Sequence, residues 1–169
     1  MNGPLYKFFV EDHRRLEELL DAATAKAPQY DMDLYGKFRA GLLKHIKMEE
    51  NVIIPAAQKA RGGEPLPIAP KIRLDHGALV ALLVSAPSRT IINALKGILT
   101  CHNPLEENPG GLYNLCEQLA GKDIEEWMKK LEDVPEVPVL PLRSGPNILE
   151  ATRRALERAG YSLDDYSQE

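Results

Sequence analysis

Apolar residues along most of the chain recur three and four positions apart, the spacing that places them on one face of an α-helix. The first segment carries them at Leu5, Phe9, Leu16, Leu19, Leu20 and Ala23. Pro4 suits a first helical turn, and Pro28 ends the segment. Patterns of strict alternation, which are typical of strands, are nearly absent. The pattern therefore predicts an all-α protein.

Three further helices follow the first at short intervals. The second is predicted from a cap at Asp31 to about Ala60, with a late kink at Pro55, and a loop rich in proline and glycine occupies 61–70. The third covers about 71–84. The fourth begins near Ser88 and resumes beyond the stretch CHNPLEENPGG through 112–119. Four helices with mostly short connections predict an antiparallel up-down four-helix bundle with additional C-terminal helices.

The remaining chain predicts a short fifth helix at 122–134, a proline-rich connector at 135–146 and an amphipathic helix at 147–160. Asn147 is the expected cap of that helix, Gly160 its stop, and 161–169 are expected to fray. We therefore predict a bundle with its short fifth helix at 1–133, and a connector and helix packing on it at 134–169. The alternative is that the last helix docks a partner.

Composition narrows the class of protein. The 169 residues are 44% hydrophobic and 27% charged, with a net charge of -4, which fits one domain and argues against nucleic-acid binding. No apolar run reaches the roughly 18 residues of a membrane span, and the N-terminus becomes charged too early for a signal peptide. We expect a cytoplasmic protein that binds neither nucleic acid nor membrane, and the pattern leaves its oligomeric state open. Cys101 and Cys116 are expected to be reduced, buried thiols.

The four histidines of the chain each fall on a different predicted helix. They are His13, His45, His76 and His102. Two of them follow an aspartate, and two open a shared motif, HIKMEEN at 45–51 and HNPLEEN at 102–108. The order DH, HxxxEEN, DH, HxxxEEN is a two-fold repeat in which each unit is a helical hairpin.

The register of each hairpin places its two histidines level. The point halfway between His13 and His45 is residue 29, in the first turn, and the point halfway between His76 and His102 is residue 89, at the end of the second. Residues equidistant from the turn of an antiparallel hairpin lie at the same height. The long loop at 61–70 leaves the relative height of the two hairpins open.

The spacing HxxxE puts a histidine and a glutamate on one helical face, one turn apart. His45 with Glu49 and His102 with Glu106 form such pairs. Four imidazoles and two carboxylates exceed the ligand set of one zinc ion but suit two first-row metals bridged by carboxylates. This donor set favours iron over calcium or magnesium, with manganese and zinc as alternatives.

With these motifs, the chain over about residues 5–120 resembles the hemerythrin-like, or HHE cation-binding, family. The resemblance implies a non-haem di-iron centre inside a four-helix bundle. The implied ligands are His13, His45, Glu49, His76, His102 and Glu106. Glu49 and Glu106 would bridge the irons, and Glu50 would support a ligand or lie at the surface. Glu107 is a rival to Glu106, because hemerythrins use a carboxylate five residues after this histidine.

The chain departs from oxygen-carrying hemerythrins, which have a fifth histidine on the third helix, one turn from the first. Ile72 and Val80 stand one turn either side of His76 here, and neither can bind metal. The missing ligand leaves a position for oxygen, peroxide or nitric oxide. Our hypothesis is that this favours sensing or peroxide chemistry over reversible carriage.

Two other functions fit the same pattern. One is a regulatory module whose metal occupancy changes the surface presented to a partner. The other is a di-iron peroxidase-like enzyme, although no catalytic arrangement is evident outside the metal set, and we do not predict an enzyme. A nearby phenol could come from any of Tyr6, Tyr30, Tyr35 and Tyr113.

Pro104 lies between two of the expected ligands. It removes the hydrogen bond to the Thr100 carbonyl and disfavours helical geometry at the preceding residue. We therefore predict a kink between His102 and Glu106. Glu106 would then swing away, Glu107 would take its place, and this half of the site would depart from the family in geometry or occupancy.

Overall fold

The computed structural model describes residues 2–167, and within that range it is helical, with no β-strand. The helices are α1 Pro4–Thr24, α2 Met32–Met48, α3 Ile54–Ala60, α4 Ala69–Val84, α5 Arg89–Glu107, α6 Leu112–Ala120, α7 Ile124–Glu132 and α8 Pro146–Ala159. A π-helical turn, Glu49–Ile53, joins α2 to α3, and 3₁₀ turns span Gly121–Asp123 and Leu163–Tyr166. The predicted all-α class is confirmed.

Several helix ends lie where the sequence predicts them. Pro4 occupies the first turn of α1, and the Asp31 carboxylate accepts hydrogen bonds from the first backbone amides of α2. Ser88 caps α5 by accepting from the Ile91 amide. Gly160, with a φ of 91°, adopts the left-handed conformation that ends α8.

The predicted late kink of the second helix lies slightly earlier than Pro55, because the π-helical turn Glu49–Ile53 interrupts the helix before the proline. Two other predictions are wrong. Asn147 is not a cap, since α8 begins one residue earlier, after Gly145. The C-terminal stretch is not frayed as far as Ser167, because Leu163 is buried in the core and anchors a 3₁₀ turn. Residues 168–169 of that prediction lie outside the described range.

Two apolar clusters fill the interior, one on each side of the four histidines along the helices. The first contains Leu16, Leu20, Phe38, Leu79, Leu95 and Leu156. The second contains Leu5, Phe9, Ile53, Ile72, Tyr113 and Trp127. Cys116 belongs to the second cluster, as predicted, whereas Cys101 is exposed and the prediction of a buried thiol is wrong for it.

The C-terminal segment packs against the second hairpin, with α8 lying along α4. The Lys71 ammonium donates to the Ala159 carbonyl at 2.7 Å, and the hydroxyls of Ser85 and Thr152 lie 2.9 Å apart. Arg39 joins the connector to α4 by donating to the carbonyl of Leu140 in the connector and to that of Leu83 in α4. Among the described residues, no helix is long and apolar enough to cross a membrane.

Candidate metal centre

The four histidines converge at one buried site. Each is at most 4% exposed. The ring centroids of His13 and His45 lie 4.5 Å apart, and those of His76 and His102 lie 5.0 Å apart. Each hairpin therefore holds its two imidazoles level, as their equal distances from the turns predict.

Glu49 links the two hairpins. It lies in the π-helical turn, is fully buried, and has one carboxylate oxygen 3.2 Å from His45 Nε2 and the other 3.1 Å from His76 Nε2. These two histidines belong to different hairpins, so the carboxylate sets both at the same height. The relative height of the hairpins, which the sequence leaves open, is thereby defined.

Glu106 makes the corresponding link from α5. Its Oε2 lies 3.3 Å from His13 Nε2, and its Oε1 lies 3.0 Å from His102 Nε2 and 3.7 Å from His76 Nε2. Glu106 is fully buried. Both carboxylates therefore touch imidazoles of both hairpins.

The predicted distortion at Pro104 is wrong, because α5 stays helical through Glu107 and keeps His102 beside Glu106. Pro104 is exposed, and it lies two residues, about 200° around the helix, from each of these side chains. Thr100 is also an exposed residue, so water can replace the missing hydrogen-bond donor at its carbonyl. Glu107 points instead to the outer side of His13.

A second set of carboxylates surrounds the imidazoles, one on the Nδ1 of each ring. The pairs are His13 with Glu107 at 2.6 Å, His45 with Asp12 at 2.8 Å, His76 with Glu50 at 2.8 Å and His102 with Asp75 at 3.1 Å. A neutral imidazole that donates from Nδ1 keeps the lone pair of Nε2 for the centre, and such partners orient histidine ligands in metal sites. We call these four acids the outer carboxylates.

Three outer carboxylates also meet a basic side chain. Arg15 lies 2.8 Å from Asp12, Lys71 lies 2.6 Å from Asp75, and Arg14 lies 2.6 Å from Glu107. The roles of Asp12 and Asp75 were not predicted from the sequence. The repeated Asp-His dipeptide was the signal, but each aspartate serves the histidine of the next helix rather than its own neighbour.

The buried carboxylates and imidazoles shift one another's pKa values. Burial lowers the pKa of His45, but Glu49 and Asp12 outweigh it and raise the pKa to about 10. Burial also lowers the pKa values of His76 and His102, but neighbouring carboxylates outweigh it and raise them to about 11 and about 9, respectively. Burial would raise the pKa of Glu106, but the imidazoles, His102 foremost, hold it well below its ordinary value. The centre is thus built for positive charge between its carboxylates.

Tyr113 was not predicted as a site residue beyond its place among four candidate phenols, yet its hydroxyl lies inside the centre. The oxygen is 3.1 Å from Nε2 of both His13 and His45, 2.5 Å from Glu49 Oε1 and 3.0 Å from Glu106 Oε2. No spacing within the repeat indicates this residue, because it lies beyond the second HxxxEEN motif.

A tight turn brings Tyr113 to this place. The Gly111 amide donates to the Asn108 carbonyl at 2.7 Å, with Pro109 second and Gly110 third at a φ of 81°. That is the arrangement of a type II turn, which requires positive φ at its third residue. α6 then starts at Leu112 and packs against α1, α3 and α5.

The donor atoms form two groups that could each hold a metal ion. One contains His13, His45, Glu49 and Glu106, and the other contains His76, His102 and Glu106, with the ligand atoms of each group within 4.8 Å of one another. Glu49 Oε2, His76 Nε2 and Glu106 Oε1 are buried, and although they lie 3.0 to 3.7 Å from neighbouring site atoms, none of these contacts has the geometry of a hydrogen bond. Unpartnered buried polar atoms are costly, and a shared cation would satisfy all three. The residues therefore fit a metal.

Comparison with known proteins gives one match. The family model described as the hemerythrin HHE cation binding domain matches residues 5–108. Neither the curated proteins nor the solved structures contain a match to this chain.

Proposed function

Because the chain belongs to the hemerythrin HHE cation-binding domain family, we propose that it holds two iron ions and uses them to bind or sense oxygen, peroxide or nitric oxide. The observation that carries this proposal is the pair of buried carboxylates, Glu49 and Glu106, each lying between imidazoles of both hairpins. Two carboxylates shared by two histidine pairs suit bridging of two ions.

The same observation supports a particular architecture. We propose that α1, α2, α4 and α5 form an antiparallel up-down bundle, since each hairpin keeps its histidines level and α1 contacts both α2 and α5. The bundle with α6 and α7 would occupy 1–133. Residues 134–169 would form an appended cover, with α8 on α4.

We call the four histidines, Glu49 and Glu106 the inner residues, and they would hold the metals as follows. His13 and His45 would hold one ion, His76 and His102 the other, and both glutamates would serve both ions. Imidazole and carboxylate donors favour iron, with manganese and zinc as alternatives. When bound, the irons supply the electrons for chemistry with oxygen or a related small ligand.

The protein's own residues contribute orientation, charge and exclusion of water. The outer carboxylates keep each Nε2 pointed inwards, and two apolar clusters flank the site along the helices. Two ferrous ions and the carboxylates of Glu49 and Glu106 would leave a net positive charge at the centre. That charge would favour a small anion such as peroxide, and the flanking apolar clusters would limit the access of water to it.

Metal analysis of the purified full chain tests the metal content. We expect two irons per chain and a ligand-to-metal absorption band that responds to dithionite and to oxygen. His102→Ala should lose iron, whereas Glu17→Gln, at a half-exposed carboxylate outside the inner set, should keep it. One zinc per chain in the wild-type protein would overturn the proposal.

Repeated oxygenation tests the proposed use of the site. With fewer histidines than an oxygen carrier, the iron-loaded protein should lose part of its spectral response over successive cycles of oxygenation and deoxygenation. Stable, fully reversible cycling would show carriage instead of sensing or peroxide chemistry.

A further inference from the structure

The hydroxyl of Tyr113 makes more polar contacts than a phenol can satisfy. From its position we infer that Tyr113 is a fifth protein ligand of the metal held by His13 and His45. The two groups of donor residues are then unequal, because only the group around His13 and His45 includes a phenol. This inference rests on the proposed function and adds a ligand to it.

The contacts around the phenol oxygen support ligation. A phenol has one proton to donate and accepts about two hydrogen bonds. Here two imidazole nitrogens and two carboxylate oxygens, from Glu49 and Glu106, lie within 2.5 to 3.1 Å of it. The single proton can serve one carboxylate, so the other faces a phenol lone pair. A cation among these atoms converts that repulsion into attraction.

The second metal group contains no such oxygen. The contacts of His76 Nε2 with Glu49 Oε2 at 3.1 Å and with Glu106 Oε1 at 3.7 Å lack the geometry of hydrogen bonds, although all three atoms are buried. The metal beside His13 would thus receive five donor residues, and its neighbour would receive only the two remaining histidines and the two shared carboxylates.

Tyr113 is fixed in this position by its neighbours. Its ring stacks on Phe9 with centroids 4.8 Å apart, and the edge of Tyr6 meets it at 6.4 Å. Tyr6 is itself anchored by donating to the Glu107 carbonyl at 3.0 Å. A ligand whose rotamer is fixed by packing loses little entropy when metal binds.

The bonding change upon loading is simple. The metal–oxygen bond forms as the phenol O–H bond breaks, and the proton passes to the buffer. No electron is transferred in this step. The ligand is then a phenolate, which has a spectroscopic signature that imidazole and carboxylate lack.

The test uses the full chain loaded with iron and oxidised to the ferric state. We expect a visible phenolate-to-iron charge-transfer band and, on excitation within it, resonance Raman lines from a tyrosinate ring. Tyr113→Phe should lose both signals while retaining two irons per chain. Tyr35→Phe is the matched control, because Tyr35 is equally buried but belongs to the other apolar cluster, and it should keep both signals.

Growth on ring-deuterated tyrosine provides a readout that does not depend on any variant folding. The Raman lines of the wild-type protein should shift with the label. A wild-type protein with two irons and no tyrosinate lines would overturn this inference and leave the proposed function intact, and so would lines that survive in Tyr113→Phe. A chain that binds fewer than two irons would overturn the proposed function and this inference with it.

Discussion

The two halves of the centre share the motif HxxxEEN but diverge immediately after it. In the first half the chain stays helical, through the π-helical turn Glu49–Ile53 into α3. In the second half α5 ends at Glu107, a tight turn follows, and α6 begins at Leu112. The turn of the second half brings a further side chain, that of Tyr113 in α6, into the site. A repeat can therefore duplicate the ligands while the segments that follow make the halves different.

The two prolines near the site sharpen this comparison. Pro104 stands between two candidate ligands, yet its helix is regular, while the irregular turn precedes Pro55 in the half whose HxxxEEN motif contains no proline. Pro55 has no amide proton for the Asn51 carbonyl, and the Ile54 amide bonds five residues back, to Glu49. The helix containing Pro104 ends three residues later, so little regular structure depends on the missing bond.

The largest expected effect separates the inner from the outer carboxylates of the second half. Glu106→Gln removes the charge shared by both metal groups, so we expect both metals to be lost. Glu107→Gln keeps a hydrogen-bond acceptor beside His13, and it should retain two metals with about 10- to 100-fold weaker affinity. Metal content and competition with a chelator measure both effects. Equal losses in the two variants would contradict the inner and outer assignment.

The second effect tests the packing of the C-terminal helix α8 against the second hairpin. Leu156, on α8, is fully buried, and Leu156→Ala should lower the free energy of unfolding by about 2–5 kcal/mol through the cavity it leaves. Leu149→Ala, at a 43% exposed position of the same helix, should change it by less than about 0.5 kcal/mol. Urea unfolding of both variants measures the difference. Similar losses would mean that α8 does not pack as described.

The third effect compares two prolines of the second half and has opposite signs. Pro104→Ala restores an amide inside α5 and should stabilise the metal-free protein by about 1–3 kcal/mol. Pro109→Ala, in the turn, should destabilise it by about 0.4–1 kcal/mol, because the unfolded chain gains freedom. Thermal unfolding reads both changes, and metal content should stay at the wild-type level. A loss of metal in Pro104→Ala would indicate that Pro104 shapes the geometry of His102 and Glu106 after all.

The last comparison concerns the two fully buried tyrosines, Tyr113 inside the centre and Tyr35 outside it. The Tyr35 hydroxyl is buried without a hydrogen-bond partner, so Tyr35→Phe should be stabilising by about 1 kcal/mol. Burial raises the pKa of Tyr35 to about 12. Its proton is retained on folding, so its contribution to stability is intact below the ordinary pKa of about 10 and is lost as pH rises towards 12.

Urea unfolding between pH 7 and 11 measures that dependence. The wild-type protein should lose stability above pH 10 more steeply than Tyr35→Phe does. Parallel curves for the two proteins would contradict the assignment of this alkaline loss to Tyr35.

The sequence predicts those parts of the site that depend on spacing along one helix or across one turn. His45 with Glu49 follows from one helical turn, and the level histidine pairs follow from equal distances to a turn. The partnership of Asp12 with His45 could not be predicted, because it depends on how one helix is rotated against the next. Tyr113 could not be predicted either, since its direction is set by the turn that ends α5.

The outer carboxylates close a ring around the bundle, with a consequence for symmetry. Asp12 of the first helix holds the histidine of α2, Glu50 holds that of α4, Asp75 that of α5, and Glu107 returns to the first helix. Each hairpin thus gives its partner one carboxylate and receives one, the reciprocal exchange found in two-fold dimers. Either hairpin alone leaves one histidine and one acid unmatched, and two copies of one hairpin would satisfy every pairing. The single chain therefore encloses the pattern of pairings that two copies of one hairpin would form about a two-fold axis.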